Sequence, residues 1–193
     1  MKRTVIAICL GILASTGVAG AATYTIDPVH SDVSFKIRHL ITKVPGEFSS
    51  FEGTIVTDFD NLERSSVNFT IDAASIDTGN DDRDTHLRSQ DFFHVEAHPT
   101  ITFRSTKIER SGEATFDVTG ILTMRGVSKA VTLPVTYLGE MTDPWGNTKA
   151  GFAIETTLDR TDYDIQWNKA LEAGGVVLGD DVEITINLQA TKE

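Results

Sequence analysis

The sequence predicts an all-β fold: an antiparallel barrel of eight strands with one short helix over an end. Three observations predict it. Apolar and polar residues alternate with period two along most of the chain, as half-buried strands require. Turn signals separate the alternating runs, at Arg125-Gly126, Asp143-Pro144-Trp145-Gly146, Gly174-Gly175 and Gly179-Asp180. One polar stretch, Asn80–Pro99, breaks the alternation and holds three of the five histidines beside the apolar pair Phe92-Phe93.

A short strand opens at Thr23–Ile26. In Ser31–Leu40, Val33, Phe35, Ile37 and His39 share one face, and Asp32, Ser34, Lys36 and Arg38 the other. Phe51, Gly53, Ile55 and Phe59 form the next inward set, followed by Val67, Phe69, Ile71 and Ala73. Ile101 and Phe103 resume the pattern after the polar stretch. Ala114, Phe116, Val118, Gly120 and Leu122 follow in phase, then Val127, Val131, Leu133, Val135 and Tyr137. Phe152, Ile154 and Leu158 make one more set, and Val182, Ile184, Ile186 and Leu188 the last. The total is eight or nine strands. An antiparallel meander must hide its edges, and closure into a barrel removes them. A two-sheet sandwich is the alternative, and phase alone does not separate the two. Long consecutive strands on short turns favour the barrel, which at eight strands just holds one small or slender ligand.

The polar stretch starts as a helix. Asn80 or Asp81 caps it, Asp82 and Asp84 sit at its positive end, and it spans about residues 82–89. Phe92-Phe93 then plugs a barrel end.

Residues 1–21 read as a signal peptide. Lys2 and Arg3 give a positive start, Val5–Leu13 is apolar but shorter than the about 20 residues that span a bilayer, and Ala19-Gly20-Ala21 fits a cleavage site. The expected product is one domain, residues 22–193, in the periplasm. The single cysteine, Cys9, leaves with the leader, which excludes an internal disulfide and a zinc–thiolate site. Two of the 17 Lys and Arg residues also leave, so the mature chain carries 15 against 28 Asp and Glu, a net charge of −13. That surface disfavours nucleic acid and anionic membranes. No later segment is apolar enough to insert stably in a membrane.

The chain resembles the YceI family of secreted, lipocalin-like proteins. IDPVHSDVSFKIRHL fits the family's first two strands, and Gly46-Glu47-Phe48 with Phe51-Glu52-Gly53 fits the next hairpin. RDTHLRSQDFF followed by HPTITF is the most specific piece. VTGILTMRGVSKAVTLPV, DPWGNTKAGF and LGDDVEITINLQA complete the order. One departure is Tyr163-Asp164, where the family commonly has Phe-Gly. The resemblance implies an extended lipocalin-like barrel whose apolar pore holds a long isoprenoid or similar lipid. It implies no catalytic residues and no cofactor.

The candidate ligand-binding residues follow from phase. Phe35, Ile37, Phe51, Phe69, Phe103, Phe116 and Leu122 point inward, to line a pore or to fill a core. His39 shares their face and is a candidate donor to a lipid head. Arg83, Asp84 and His86 are candidates for a polar cluster at the mouth. His94-Val95-Glu96-Ala97-His98 is not the H-E-x-x-H metal signature, because the acid stands one place late; no metal site is expected. Two other function classes stay open: an enzyme acting on a pore-bound lipid with His39 or His86 as acid or base, and a ligand-free structural or interaction protein. The expected partner is an isoprenoid or other long-chain lipid, with a homodimer left open.

Overall fold

The computed structural model describes residues 20–170 and 176–193. All but Gly20 and Ala21 of the expected leader, and the Gly174-Gly175 turn signal, lie outside that range. Eleven strands form one antiparallel sheet: β1 (Ala22–Ile26), β2 (Asp32–His39), β3 (Thr42–Phe48), β4 (Phe51–Thr57), β5 (Ser66–Asp72), β6 (Ile76–Asp77), β7 (Thr100–Arg110), β8 (Thr115–Met124), β9 (Val127–Thr142), β10 (Thr148–Asp159) and β11 (Leu178–Lys192). Helix α1 (Asp81–Arg88) lies between β6 and β7.

Eleven segments make eight barrel strands because three of the eight are kinked. β1 and β2 lie end to end along β11, at Ile26↔Ala190 and at Val33↔Ile186. β3 and β4 continue one another in the same way, β3 pairing with β2 and β4 with β1. β5 pairs with β4 and β6 with β3. The remaining strands pair in sequence, and β1–β11 contact closes the barrel. Residues 46–53 are therefore not a hairpin, as the sequence reading has them, but one strand with a jog at Ser49-Ser50.

Each kink shifts the inward phase. Tyr24 and Ile26 are buried before the first kink, Val33 after it. Phe48 precedes the second kink and Phe51 and Ile55 follow it. Ile71 and Ala73 give way to Ile76 at the third. A strict period of two would have turned one half of each strand outward, so the jogs keep both halves facing the core. Hydrogen bonds join the second and third kinks, Ser49 N to Ser75 O at 3.2 Å and Asp72 N to Ser50 O at 3.0 Å, and Asp27 N to Gln189 O at 2.8 Å ties the first kink to β11.

Asp27 anchors the first kink. Its carboxylate accepts from His30 Nδ1 at 2.9 Å, Lys149 Nζ at 3.2 Å and Gln189 Nε2 at 3.3 Å. Burial alone would raise this carboxyl, but the hydrogen bonds from His30, Lys149 and Gln189 outweigh it and hold the group below the usual carboxylate range. A lowered folded value stabilises the fold above the unfolded value, and that stability is lost as pH falls through the folded one. Asp27→Asn is expected to cost about 1–2 kcal/mol at neutral pH. The difference from wild type should vanish in acid, where both carry a neutral group. A pH series of thermal melts in which the gap is constant would refute this role.

The helical insertion covers a gap in the sheet. β7 pairs with β5 only as far as Asp72↔Thr100, so the carbonyls beyond it face no strand. Arg88 supplies the missing donors, from Nε to Ala74 O at 2.8 Å and from Nη2 to Ile76 O at 2.7 Å. Asn80 caps the helix by accepting from Arg83 N at 2.9 Å. Asp84, expected among a polar cluster at the mouth, is buried instead and accepts from Thr78 N at 3.0 Å and from the Thr78 hydroxyl.

Candidate functional site

The inward faces do not close on a solid core. They surround an elongated cavity of about 580 Å³ whose wall is almost wholly apolar. That volume lies in the range of small-molecule sites. Two of the inward phenylalanines fit because glycine faces them on the neighbouring strand. A Cβ at Gly46 would lie 2.4 Å from the Phe35 ring, and one at Gly53 would lie 2.8 Å from the Phe69 ring. Removing those two side chains gives the rings room without narrowing the lumen.

Phe35, Ile37, Phe69, Phe103, Phe116 and Leu122 all border this cavity. Phe51 does not. It shares the inward phase, but its ring is buried behind Phe69, with centroids 5.8 Å apart. Phase fixes the side of the sheet and not the depth, so sequence could not separate the wall from the packing behind it. Phe59, read as buried, is 41% exposed, because β4 ends at Thr57. Its ring leans on Phe116 at 5.8 Å and Tyr137 at 5.0 Å, and it borders the cavity at the end away from α1.

The α1 end carries the polar rim. His39, Asp82, Arg83 and His86 border the cavity there, and His39 and Arg83 are exposed. His39 is thus at the rim rather than among the buried apolar side chains of its strand, because β2 ends with it. Arg83 and His86 do not bond to each other. Arg83 donates from Nε to Thr78 Oγ1 at 2.7 Å and from Nη2 to Thr78 O at 2.8 Å. His86 Nε2 meets Asp91 Oδ2 at 2.9 Å, and its ring stands edge-on to Phe92 and Trp167 at 5.0 and 5.1 Å.

Beneath that rim a second apolar cluster, Phe92, Ile165 and Leu178, packs with Trp167 and Met124. Phe92 and Phe93 narrow this end as a partial plug that leaves the rim residues on the cavity, Phe93 against Phe48 at 5.7 Å. Arg160 holds the plug in place. Its side chain is 5% exposed and donates to Gly179 O at 2.8 Å, Ile165 O at 2.5 Å, Trp167 O at 3.0 Å and Asp180 Oδ1 at 2.8 Å. Arg125, in the β8–β9 turn, adds a tie from Nη1 to Asp164 O at 2.7 Å and from Nη2 to Gln90 O at 2.8 Å. Asp164 takes φ 62°, a left-handed conformation that Asp tolerates, which explains why glycine is common at this place in the resembling family. Burial raises the Tyr163 hydroxyl above its ordinary range.

Sequence reasoning missed Arg160, Ile165 and Trp167. They lie in a short 3-10 turn (Arg160–Tyr163) and the irregular backbone after it, where no period marks the inward side. The only signal was an arginine isolated in a run too short of apolar residues for a strand.

The ionisable groups at the cavity are confined to this end, and Arg160 has its donors committed. His94 and His98 lie in a turn, with ring centroids 5.6 Å apart. Among the described residues no group of three His, Cys, Asp or Glu is placed to hold a metal. The arrangement can solvate an apolar chain and offer hydrogen bonds to one polar end of it.

A YceI-like domain is matched over residues 24–190. A UPF0312 protein of Ectopseudomonas mendocina is 44% identical over 168 residues, which are 86% of this chain and 88% of that one. The crystal structure of Burkholderia cenocepacia BcnA superposes with a TM-score of 0.75 at 25% identity, covering 85% of this chain and 98% of the other. A polyisoprenoid binding domain from Saccharophagus degradans shares the fold at a TM-score of 0.66 and 17% identity, over 88% and 98% of the two chains.

Proposed function

The chain belongs to the YceI-like family, and we propose that it is a lipid-binding protein that holds one long apolar chain in its barrel as a carrier or store. The observation that carries this reading is the cavity itself: elongated, almost wholly apolar, and bordered by charged side chains only at the α1 end. Burying one methylene contributes about 0.8 kcal/mol. About ten of them correspond to a micromolar Kd before ordering costs. The polar end of the ligand lies by His39, Arg83 and His86. An isoprenoid is preferred to a straight acyl chain, a reading that the polyisoprenoid-binding Saccharophagus domain of the same fold supports. We read the protein as a binder rather than an enzyme, since the cavity wall is almost wholly apolar and its charged side chains stand only at the α1 end. Export to the periplasm with loss of residues 1–21 completes the proposal.

Native mass spectrometry of the protein from its own host tests all of this at once. The expected spectrum shows a chain beginning at Ala22 or Thr23 with one retained lipid of long-chain mass. A chain that arrives empty and takes up no prenyl lipid from detergent overturns the carrier reading. A product retaining Cys9 overturns the export reading.

A further inference from the structure

The β2–β3 hairpin is built against its own turn chemistry. His39 pairs with Thr42, so Leu40 and Ile41 are the whole loop. Leu40 takes φ 54°, while Ile41 keeps a negative φ. A positive φ at the first loop position alone is the arrangement that favours glycine there, with a small polar residue after it. Leucine in the left-handed region is strained.

Burial does not compensate for this strain. Ile41 is 97% exposed and Leu40 43%. Val176, a third exposed apolar residue at 38%, lies alongside, since Leu40 N donates to Val177 O at 2.7 Å. A strained loop of exposed apolar residues serves contact with something outside the chain.

Position identifies that contact. Residues 33–46 hold Lys36, Arg38, His39 and Lys43, and Asp159, Asp180, Asp181 and Glu183 stand around those basic side chains, so the flank of the tip is charge-balanced in a chain of net charge −11. Lys43 pairs with Glu183 of β11, and Lys36 stands opposite Glu183 in the register. Arg38 donates to Leu40 O at 3.0 Å, at the tip itself, and forms no ion pair among the described residues. His39, the residue before the tip, borders the cavity. The tip and the rim of the cavity are therefore one continuous surface.

We infer that the Leu40–Ile41 tip docks on a phospholipid bilayer. The two side chains enter the headgroup boundary, Arg38 meets headgroup phosphates, and the rim at His39 comes to rest against the lipid. Two apolar side chains give weak, reversible attachment, which suits a protein that must leave with its cargo. Only the purpose of docking rests on the lipid-binding reading; the contact stands without it.

Flotation of the mature protein with vesicles tests the inference. Wild type should float with phosphatidylcholine vesicles. The double variant Leu40→Gly/Ile41→Asn should lose about tenfold or more of its vesicle partitioning. It should melt no lower than wild type, because glycine suits the positive φ at position 40. Trp145→Ser, at an exposed tip on the opposite end of the barrel, should float as wild type does. Flotation of the double variant at wild-type levels, or its loss in Trp145→Ser instead, overturns the inference. If wild type does not float yet takes up prenyl lipid from detergent, docking fails and the carrier reading stands. If it floats and takes up no lipid, the carrier reading fails alone.

Discussion

Arg160→Met is expected to destabilise the protein by about 3–5 kcal/mol, the cost typical of breaking a buried charged network from one side. The side chain is 5% exposed and serves three backbone carbonyls and one carboxylate. Methionine fills much of the volume and supplies none of the donors. The carbonyls of Ile165, Trp167 and Gly179 are then left without the charge-assisted bonds that hold them. For a chain of this size the melting temperature should fall by about 6–20 °C. Arg160→Lys should recover only part of the loss, because one ammonium cannot span the directions that the guanidinium fork reaches. The loss should be local as well as global. Amide exchange in the cluster around Ile165 and Leu178 should speed up more than in β8 and β9. A methionine variant that melts with wild type would show that the plug is held by its apolar contacts alone.

The largest functional effect is expected from Phe69→Asp. Phe69 borders the cavity, and an unpaired carboxylate in an apolar wall costs several kcal/mol. A retained long-chain lipid should be lost by about 100-fold or more. The variant has a built-in comparison in Phe51, whose ring touches that of Phe69 but not the cavity. Phe51→Leu should cost stability, by roughly 1–3 kcal/mol, and leave lipid stoichiometry unchanged. The pair separates a lining role from a packing role, which a single substitution cannot do. Near-ultraviolet circular dichroism checks that each variant is folded. A folded Phe69→Asp protein that still carries its lipid would place the ligand elsewhere.

The alternation was enough to read the strands, because burial of one face repeats every second residue whatever the neighbours are. It also gave α1 within a residue, since Asn80 and the acids after it are a local capping signal. The kinks were less legible. The inward set passes from Phe48 to Phe51 and from Ile71 to Ile76, and in sequence such a shift looks like the end of one strand and the start of another. The jog at Ser49-Ser50 was therefore read as a hairpin. Only the pairing of both halves with the same neighbouring strands shows that the chain runs on.

The sequence by itself determined the class of fold, the order of its strands, the place of the helical insertion and the inward side of β2, β5, β7 and β8. Those properties depend on local chemistry and on period. The tertiary structure alone decided that the barrel closes over a cavity, that Phe69 lines it while Phe51 stands behind, and that Arg160 and Trp167 complete one end. The physical reason is that depth and closure depend on how far apart opposite strands stand. That distance is set by pairing among residues more than a hundred positions apart, such as Ile26 with Ala190, and no stretch of sequence carries it alone.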